Sequence, residues 1–240
     1  MVSQHREKDI GDLVARGIVA KVLSRLLSEP DTETQVYIER VATPDLDGAD
    51  ELVSRRSRVH STVVGLRRAV AELDAGAVPA MLAKAGAPPY ETEYGMAHVF
   101  MKVQTLADVA GFYRAFGLDL ATAHRDRPDH VAAELEFLHF LLLLQASALT
   151  RGERDAYRIV RQAEAGFLRD HLALWGPSYL EKVATFDADS IAARVVRIAA
   201  RFLQTEARRL QVTVNPELPA PNPQPSPAQE RALREPSSPP

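Results

Sequence analysis

Cysteine is absent from this 240-residue chain. That removes disulfides, thiolate metal sites, iron–sulfur ligation and cysteine nucleophiles together. An excess of one charge is missing too: 29 lysines and arginines face 32 acidic residues, for a net charge of −3 and a pI near 6.2. Nothing in that balance draws the chain to nucleic acid or to an anionic membrane. The longest apolar run, residues 137–144, is interrupted by His139 and falls far short of the roughly 20 residues a membrane span needs. Residues 1–9 are polar and lack the apolar core and small-residue cleavage site of a secretory signal. Glycine-rich phosphate loops and the G-x-S-x-G elbow are also missing. The expectation is a soluble, cytoplasmic protein that is not an enzyme, carries no cofactor and no metal, and neither binds nucleic acid nor inserts in a membrane.

What is present is helical period. Leu13, Val14, Ile18, Val22, Leu26 and Leu27 trace one face of a first helix that Pro30 closes. A short helix is expected over about 31–42, with a turn at 44–48. In a helix over about 49–74, Val59, Val63, Leu66, Val70 and Leu73 fall at steps of four, three, four and three. A short helical piece follows at 79–84. Pro88 and Pro89 force an extended stretch that carries Tyr90, Glu91, Glu93 and Tyr94 and runs on to Gly95. A further helix uses Leu106, Val109, Tyr113 and Phe116 and stops at Gly117, and a loop over 118–128 leads on. A helix over about 129–149 is apolar on nearly every side and belongs at the centre of the molecule. Asp129 reads as its N-cap. Helices over about 153–174 and up to about 210 complete the chain, with Trp175-Gly176-Pro177 as the turn between them. No segment alternates as a strand does, so the fold class is all-α, a single-domain multi-helix bundle over residues 1–211. Nine of the sixteen prolines lie in residues 212–240, with no aromatic residue, the composition of a disordered tail.

Three patterns invite chemistry. Glu136-Phe137-Leu138-His139 places a carboxylate and an imidazole on one helix face, as ferritin-like di-iron bundles require. Such sites need the motif twice, and no second copy exists. A hydrogen-bonded His and Glu in the scaffold is therefore expected, with a metal-dependent helical oxidase as an alternative. His130 and Glu134, one turn apart, suit an ion pair or a metal equally. Ser54-Arg55-Arg56-Ser57-Arg58 matches a twin-arginine export signal superficially. It is internal and has no apolar run behind it, so it reads as a solvated basic helix face. The acids and tyrosines at 90–94 suit a peptide-binding rim, with carboxylates for arginines and rings for apolar residues.

Taken in order, the acidic Tyr-bearing Pro loop, Ala110-Gly111-Phe112-Tyr113-Arg114-Ala115-Phe116-Gly117-Leu118 and Arg127-Pro128-Asp129-His130 resemble the redox-enzyme maturation chaperones of the TorD/DmsD/NarJ type. They are similar above all to the delta-component chaperones of ethylbenzene and dimethylsulfide dehydrogenases and of selenate and chlorate reductases. The resemblance covers about residues 10 to 210. It implies an all-helical cytoplasmic protein with no catalysis of its own. Such a protein binds the apo catalytic subunit of a molybdenum oxidoreductase, with the twin-arginine signal peptide as one candidate contact, and holds it until the cofactor is inserted. A monomer or homodimer is expected. By motif, Asp129 and His130 belong to the client-binding region, with Tyr113 and Gly117 along the approach. Charge and position add Glu91, Glu93 and Tyr94. A helical adaptor with an unrelated partner, docking through the proline-rich tail, is the other alternative.

Overall fold

A computed structural model describes residues 2–29, 31–94, 99–118, 127–215 and 217. Among them, ten α-helices follow in order: α1 (Val2–Leu27), α2 (Thr32–Arg40), α3 (Ala42–Leu52), α4 (His60–Glu72), α5 (Ala77–Lys84), α6 (Val99–Ala115), α7 (Val131–Arg151), α8 (Arg154–Phe167), α9 (Ala173–Val183) and α10 (Ile191–Arg209). A 3-10 turn at Glu91–Glu93 precedes α6, and a π-helical turn at Leu168–Leu172 joins α8 to α9. No strand occurs among the described residues, only one isolated antiparallel bridge between Tyr90 and His130.

The expected central helix is α7, and its most extensive neighbour is α1. Leu135, Leu138, Leu141 and Leu142 are fully buried, and each contributes about 1.5–3 kcal/mol on leaving water. By length and composition α7 passes as a membrane span, but 61% of that window is buried inside the bundle. A core helix needs the same apolarity for a different reason, because protein surrounds it on most sides. Its C-terminus is closed by Gly152 in the left-handed conformation, with the Gly152 N–H donating to Leu149 and the Glu153 N–H to Ala148. Arg6 donates to the last-turn carbonyls of Leu149 and Thr150, where a cation suits the helix dipole.

A buried ionic network ties four helices together. Arg16 on α1 is 3% exposed and donates from Nε to both Glu206 oxygens, at 3.0 and 3.1 Å, and from Nη2 to Glu164 at 2.9 Å. Gln145 on α7 donates to Glu164 at 2.8 Å, and Arg209 reaches both glutamates. Two arginines and two glutamates balance, which is what lets the charges stay out of water.

Several sequence expectations change. The segment from 44 to 48 is helical and part of α3, while Ser54-Arg55-Arg56-Ser57-Arg58 lies in the turn between α3 and α4, not on a helix face. There Ser57 donates to Asp12 at 2.6 Å. Trp175-Gly176-Pro177 is not a turn: all three are buried inside α9. A Cβ on Gly176 would stand 3.1 Å from methyl groups of Leu172 and Leu203, so glycine serves close packing against α10 there. Pro177 is tolerated one turn after the π-helical insertion, where the regular ladder is already displaced. The packed chain also extends past residue 211. Val212 and Val214 rest on the core, and Ser178 donates to the Asn215 carbonyl at 2.5 Å. The rest of the expected tail, apart from Glu217, lies outside the described residues, as do Gly95 and most of the 118–128 loop.

Candidate functional site

Residues 88–94 and 127–131 clasp one another at the start of α7. The Glu91 N–H donates to the Asp129 carbonyl, and the Val131 N–H to that of Pro89, both at 2.9 Å. The second bond supplies an acceptor for the first N–H of α7, which has none within its own helix. Asp129 is not the N-cap. His130 takes that role, its Nδ1 accepting from the Ala132 N–H at 3.1 Å. Asp129 is completely buried and turned to the other strand of the clasp. Its Oδ2 accepts from the Thr92 N–H at 3.1 Å and the Thr92 hydroxyl at 2.8 Å. Arg127 grips the same carboxylate with both prongs, Nε at 3.0 Å and Nη2 at 2.8 Å. An aspartate two positions after an arginine thus receives a paired hydrogen bond from it, the strong geometry for this ion pair.

The acids expected to face a client already have internal partners. Glu93 accepts from Arg127 Nη1 at 3.2 Å and from Lys102 on α6 at 2.9 Å. Glu91 lies 3.2 Å through either oxygen from Nδ1 of His171, which the π-helical turn presents. Burial pushes the Glu91 carboxyl up from the ordinary range, and His171 opposes that shift. Tyr94 donates to the Pro88 carbonyl at 2.8 Å and stacks on Trp175 with ring centroids 5.7 Å apart. Arg127 also lies over the Tyr90 ring at 4.4 Å, and Tyr90 meets His130 edge-on.

Tyr113 and Gly117 have one shared explanation. The Gly117 N–H donates to Arg114 and the Leu118 N–H to Tyr113, both at 3.0 Å, with Gly117 at φ +73°. This is the double-bonded helix stop in which a left-handed residue favours glycine and the next residue packs back on the helix. Tyr-x-x-x-Gly-Leu is therefore a device that ends α6 one turn beyond Tyr113. The Tyr113 phenol, almost fully buried, then donates to the Pro128 carbonyl at 2.8 Å and locks α6 to the clasp. Burial holds that phenol well above its usual pKa, with the nearby carboxylates adding to the shift.

Beneath the clasp lies Glu134, with no exposed surface. Trp175 Nε1 donates to its Oε2 across a long 3.4 Å, and Oε1 has no hydrogen-bond partner. Burial raises its pKa well above the carboxylate range, and the charges of Glu91 and Asp129 push the same way. The site thus stacks Asp129, held by Arg127, above a buried glutamate whose pKa is pushed up.

Of the expected site residues, the structure joins Asp129, Glu93, Glu91, Tyr113 and Tyr94 to one clasp from the inside, with His130 as the helix cap and Gly117 exposed at the end of α6. Arg127, Thr92, Lys102, His171, Trp175 and Glu134 complete it. Of these, Arg127 had a visible signal, standing beside the Pro-Asp-His element, and Glu134 another, one turn after His130. Two clefts flank the clasp. Tyr90 and His130 line one, of about 420 Å³, and Glu91 and His171 line another, of about 650 Å³. Glu136 and His139 do not meet at a metal. His139 Nδ1 donates to the Gly17 carbonyl at 2.8 Å, and Glu136 lies 3.9 Å from Arg25. Among the described residues no group of three metal-ligating side chains forms.

Residues 73–181 match the family model described as nitrate reductase delta subunit, a span that holds the whole clasp. The chain is 31% identical over 111 residues to the perchlorate reductase assembly chaperone protein of Dechloromonas aromatica (strain RCB), covering 46% of this chain and 48% of that one. It is 39% identical over 83 residues to the selenate reductase assembly chaperone protein of Thauera selenatis, covering 35% and 42%. The chaperone protein TorD of Aliivibrio fischeri (strain ATCC 700601 / ES114) is 24% identical over 182 residues, covering 74% and 81%. The chain thus spans about half the length, or less, of the first two relatives. No solved structure matches it. Through residues 73–181 the chain is thus similar to the nitrate reductase delta subunit family, and over parts of its length to reductase assembly chaperones and to TorD.

Proposed function

We propose that this chain is an assembly chaperone for a molybdenum oxidoreductase. It binds the immature catalytic subunit in the cytoplasm, with the twin-arginine signal peptide as one contact, and holds it for cofactor insertion before export. The observation that carries this reading is the similarity to perchlorate and selenate reductase assembly chaperones, with the clasp inside the matched stretch. The client-binding region is built on Asp129, His130, Tyr113, Gly117, Glu91, Glu93 and Tyr94. Since six of these are buried, they act by holding the clasp in shape, and client contact falls to the surfaces they position.

Affinity capture of the tagged full chain from cells making such a reductase should recover its immature catalytic subunit. Recovery of none would sink the reading. For the region, Asp129→Ala removes the acceptor of Arg127 Nε and Nη2 and of the Thr92 N–H and hydroxyl, which costs about 2–3 kcal/mol, tempered because Arg127 keeps Glu93 and is half-exposed. Because that loss alone could unfold the clasp, His130→Gln serves as the milder variant. It should weaken capture by more than its loss of the cap, about 1 kcal/mol in stability, accounts for. Capture that merely tracks melting would make these residues structural only.

A further inference from the structure

Helix α6 is covered on one side only. Its most extensive contacts are with the 3-10 turn of the clasp and with α8, and its Met101 and Val103 are 40% and 61% exposed. Between α6 and the π-helical turn lies the cleft of about 650 Å³. Ala107, Gly111 and Ala115 stand one turn apart along its α6 wall, and Leu174, 44% exposed, lines it from the start of α9. Small side chains at that spacing let another segment lie close against the helix. Two acceptors open on the cleft. His171 is 4% exposed, and its Nδ1 lies 3.2 Å from both Glu91 oxygens. In its neutral form the ring keeps its proton on that side and offers the Nε2 lone pair to the cleft, where no described residue supplies a donor. Asp108 is exposed on the α6 wall and makes no ion pair or hydrogen bond with any described residue. Among the described residues lining the cleft there is no lysine or arginine, and its remaining aspartate, Asp170, is engaged by Arg169.

An occupant of matching chemistry lies further along the same chain. After Glu217 the only cations are Arg231 and Arg234, on either side of Ala232 and Leu233, and residues 228–235 are the longest stretch there without proline. The glutamates Glu230 and Glu235 flank that four-residue centre. Ser178 holds the Asn215 carbonyl one turn along α9 from Leu174, so the chain leaves the described fold beside the cleft. Fourteen residues separate Glu217 from Arg231, and six of residues 216–227 are proline. A proline-rich spacer covers about 3 Å per residue, so the arginines reach the cleft with chain to spare. Tethering also raises the local concentration of the segment, which lets a weak contact form. We infer that the cleft between α6 and the π-helical turn is the docking site of this chain's own residues 231–234. The two guanidinium groups donate to Asp108 and to Nε2 of His171, and Leu233 lies between the small side chains of α6 and Leu174. A cation placed there favours the ionised form of Glu91, so docking tightens the tie between the clasp and the π-helical turn. The occupant belongs to the chain itself, which makes this assignment independent of the chaperone reading.

Because the chain has no cysteine, one introduced pair reports the contact in the full-length protein. Ala107→Cys with Ala232→Cys should form a disulfide under mild oxidation at least tenfold faster than Ala188→Cys with Ala232→Cys. Ala107 and Ala188 are both exposed, so substitution costs little stability, and Ala188 lies in the turn between α9 and α10, outside the cleft. In the first pair, Asp108→Lys should slow the bond at least tenfold, as should Arg231→Asp with Arg234→Asp. Combining the two changes should restore the rate, because the charges are exchanged rather than lost. Glu29→Lys, in the 420 Å³ cleft, should leave it within twofold. Equal rates for the two cysteine pairs, or no effect of Asp108→Lys, would overturn the assignment. A disulfide that forms between chains, at a rate rising with protein concentration, would also overturn it and make a second copy of the chain the partner.

Discussion

Replacing Glu134 by glutamine should change how stability depends on pH, and the structure sets the sign. The side chain is wholly buried, receives one long hydrogen bond from Trp175 and leaves Oε1 without a partner. Its pKa in the fold is raised well above the carboxylate range, by burial first and then by Glu91 and Asp129. In the unfolded chain it titrates near an ordinary glutamate value of about 4.3. A folded pKa above the unfolded one means the folded state holds the proton more tightly. The stability this group allows is therefore complete below the unfolded pKa and is lost as pH rises toward the folded value. One proton linked in this way gives a slope of about 1.4 kcal/mol per pH unit. For a chain of this size that corresponds to roughly 3–6 °C of melting temperature per unit. Glu134→Gln keeps the volume and the acceptor and deletes the titration. Urea unfolding at pH 5, 6, 7 and 8 should show the variant matching or trailing the parent at pH 5, because its amide hydrogens are no better paired. It should gain on the parent at each higher pH, by up to that slope. Parallel stability curves across the range would refute the neutral, buried carboxyl.

Two other substitutions probe the scaffold. Arg16→Met should lose about 3–5 kcal/mol in urea unfolding, because Glu206 and Glu164 stay buried without their main counter-charge; a loss below 1 kcal/mol would show the network to be dispensable. Gln211 sits at φ +59° beyond α10, with the Val212 N–H bonded back to Ala207 at 2.9 Å, so Gln211→Gly should raise stability by about 0.5–1 kcal/mol, seen as a higher urea midpoint at unchanged slope.

Much of the architecture was legible along the chain because helical periodicity is local. The apolar run after residue 130 had to be central, since a helix without a polar face cannot sit at a surface, and α7 is central. The Tyr-x-x-x-Gly-Leu and Pro-Asp-His elements were legible as signatures, but their mechanics were not. Gly176 and Pro177 misled because their usual meaning is a turn, whereas here a close approach of α10 and a preceding π-helical turn absorb them. Asp129 looked like a cap because caps are short polar residues before an apolar run. His130 displaced it once Arg127 and Thr92 supplied partners on the other side.

By itself, then, the sequence determined the helices, the absence of thiol chemistry and the order in which the clasp elements arrive, since each depends on residues within a few positions of one another. Only the tertiary structure decided which charges are free. Glu91 meets His171 across 80 positions, Glu93 meets Arg127 across 34, Glu134 meets Trp175 across 41, and Arg16 meets Glu206 across 190. Electrostatic pairing and desolvation depend on distance in space, so acids that looked like an open rim in the linear chain became the buried framework of one.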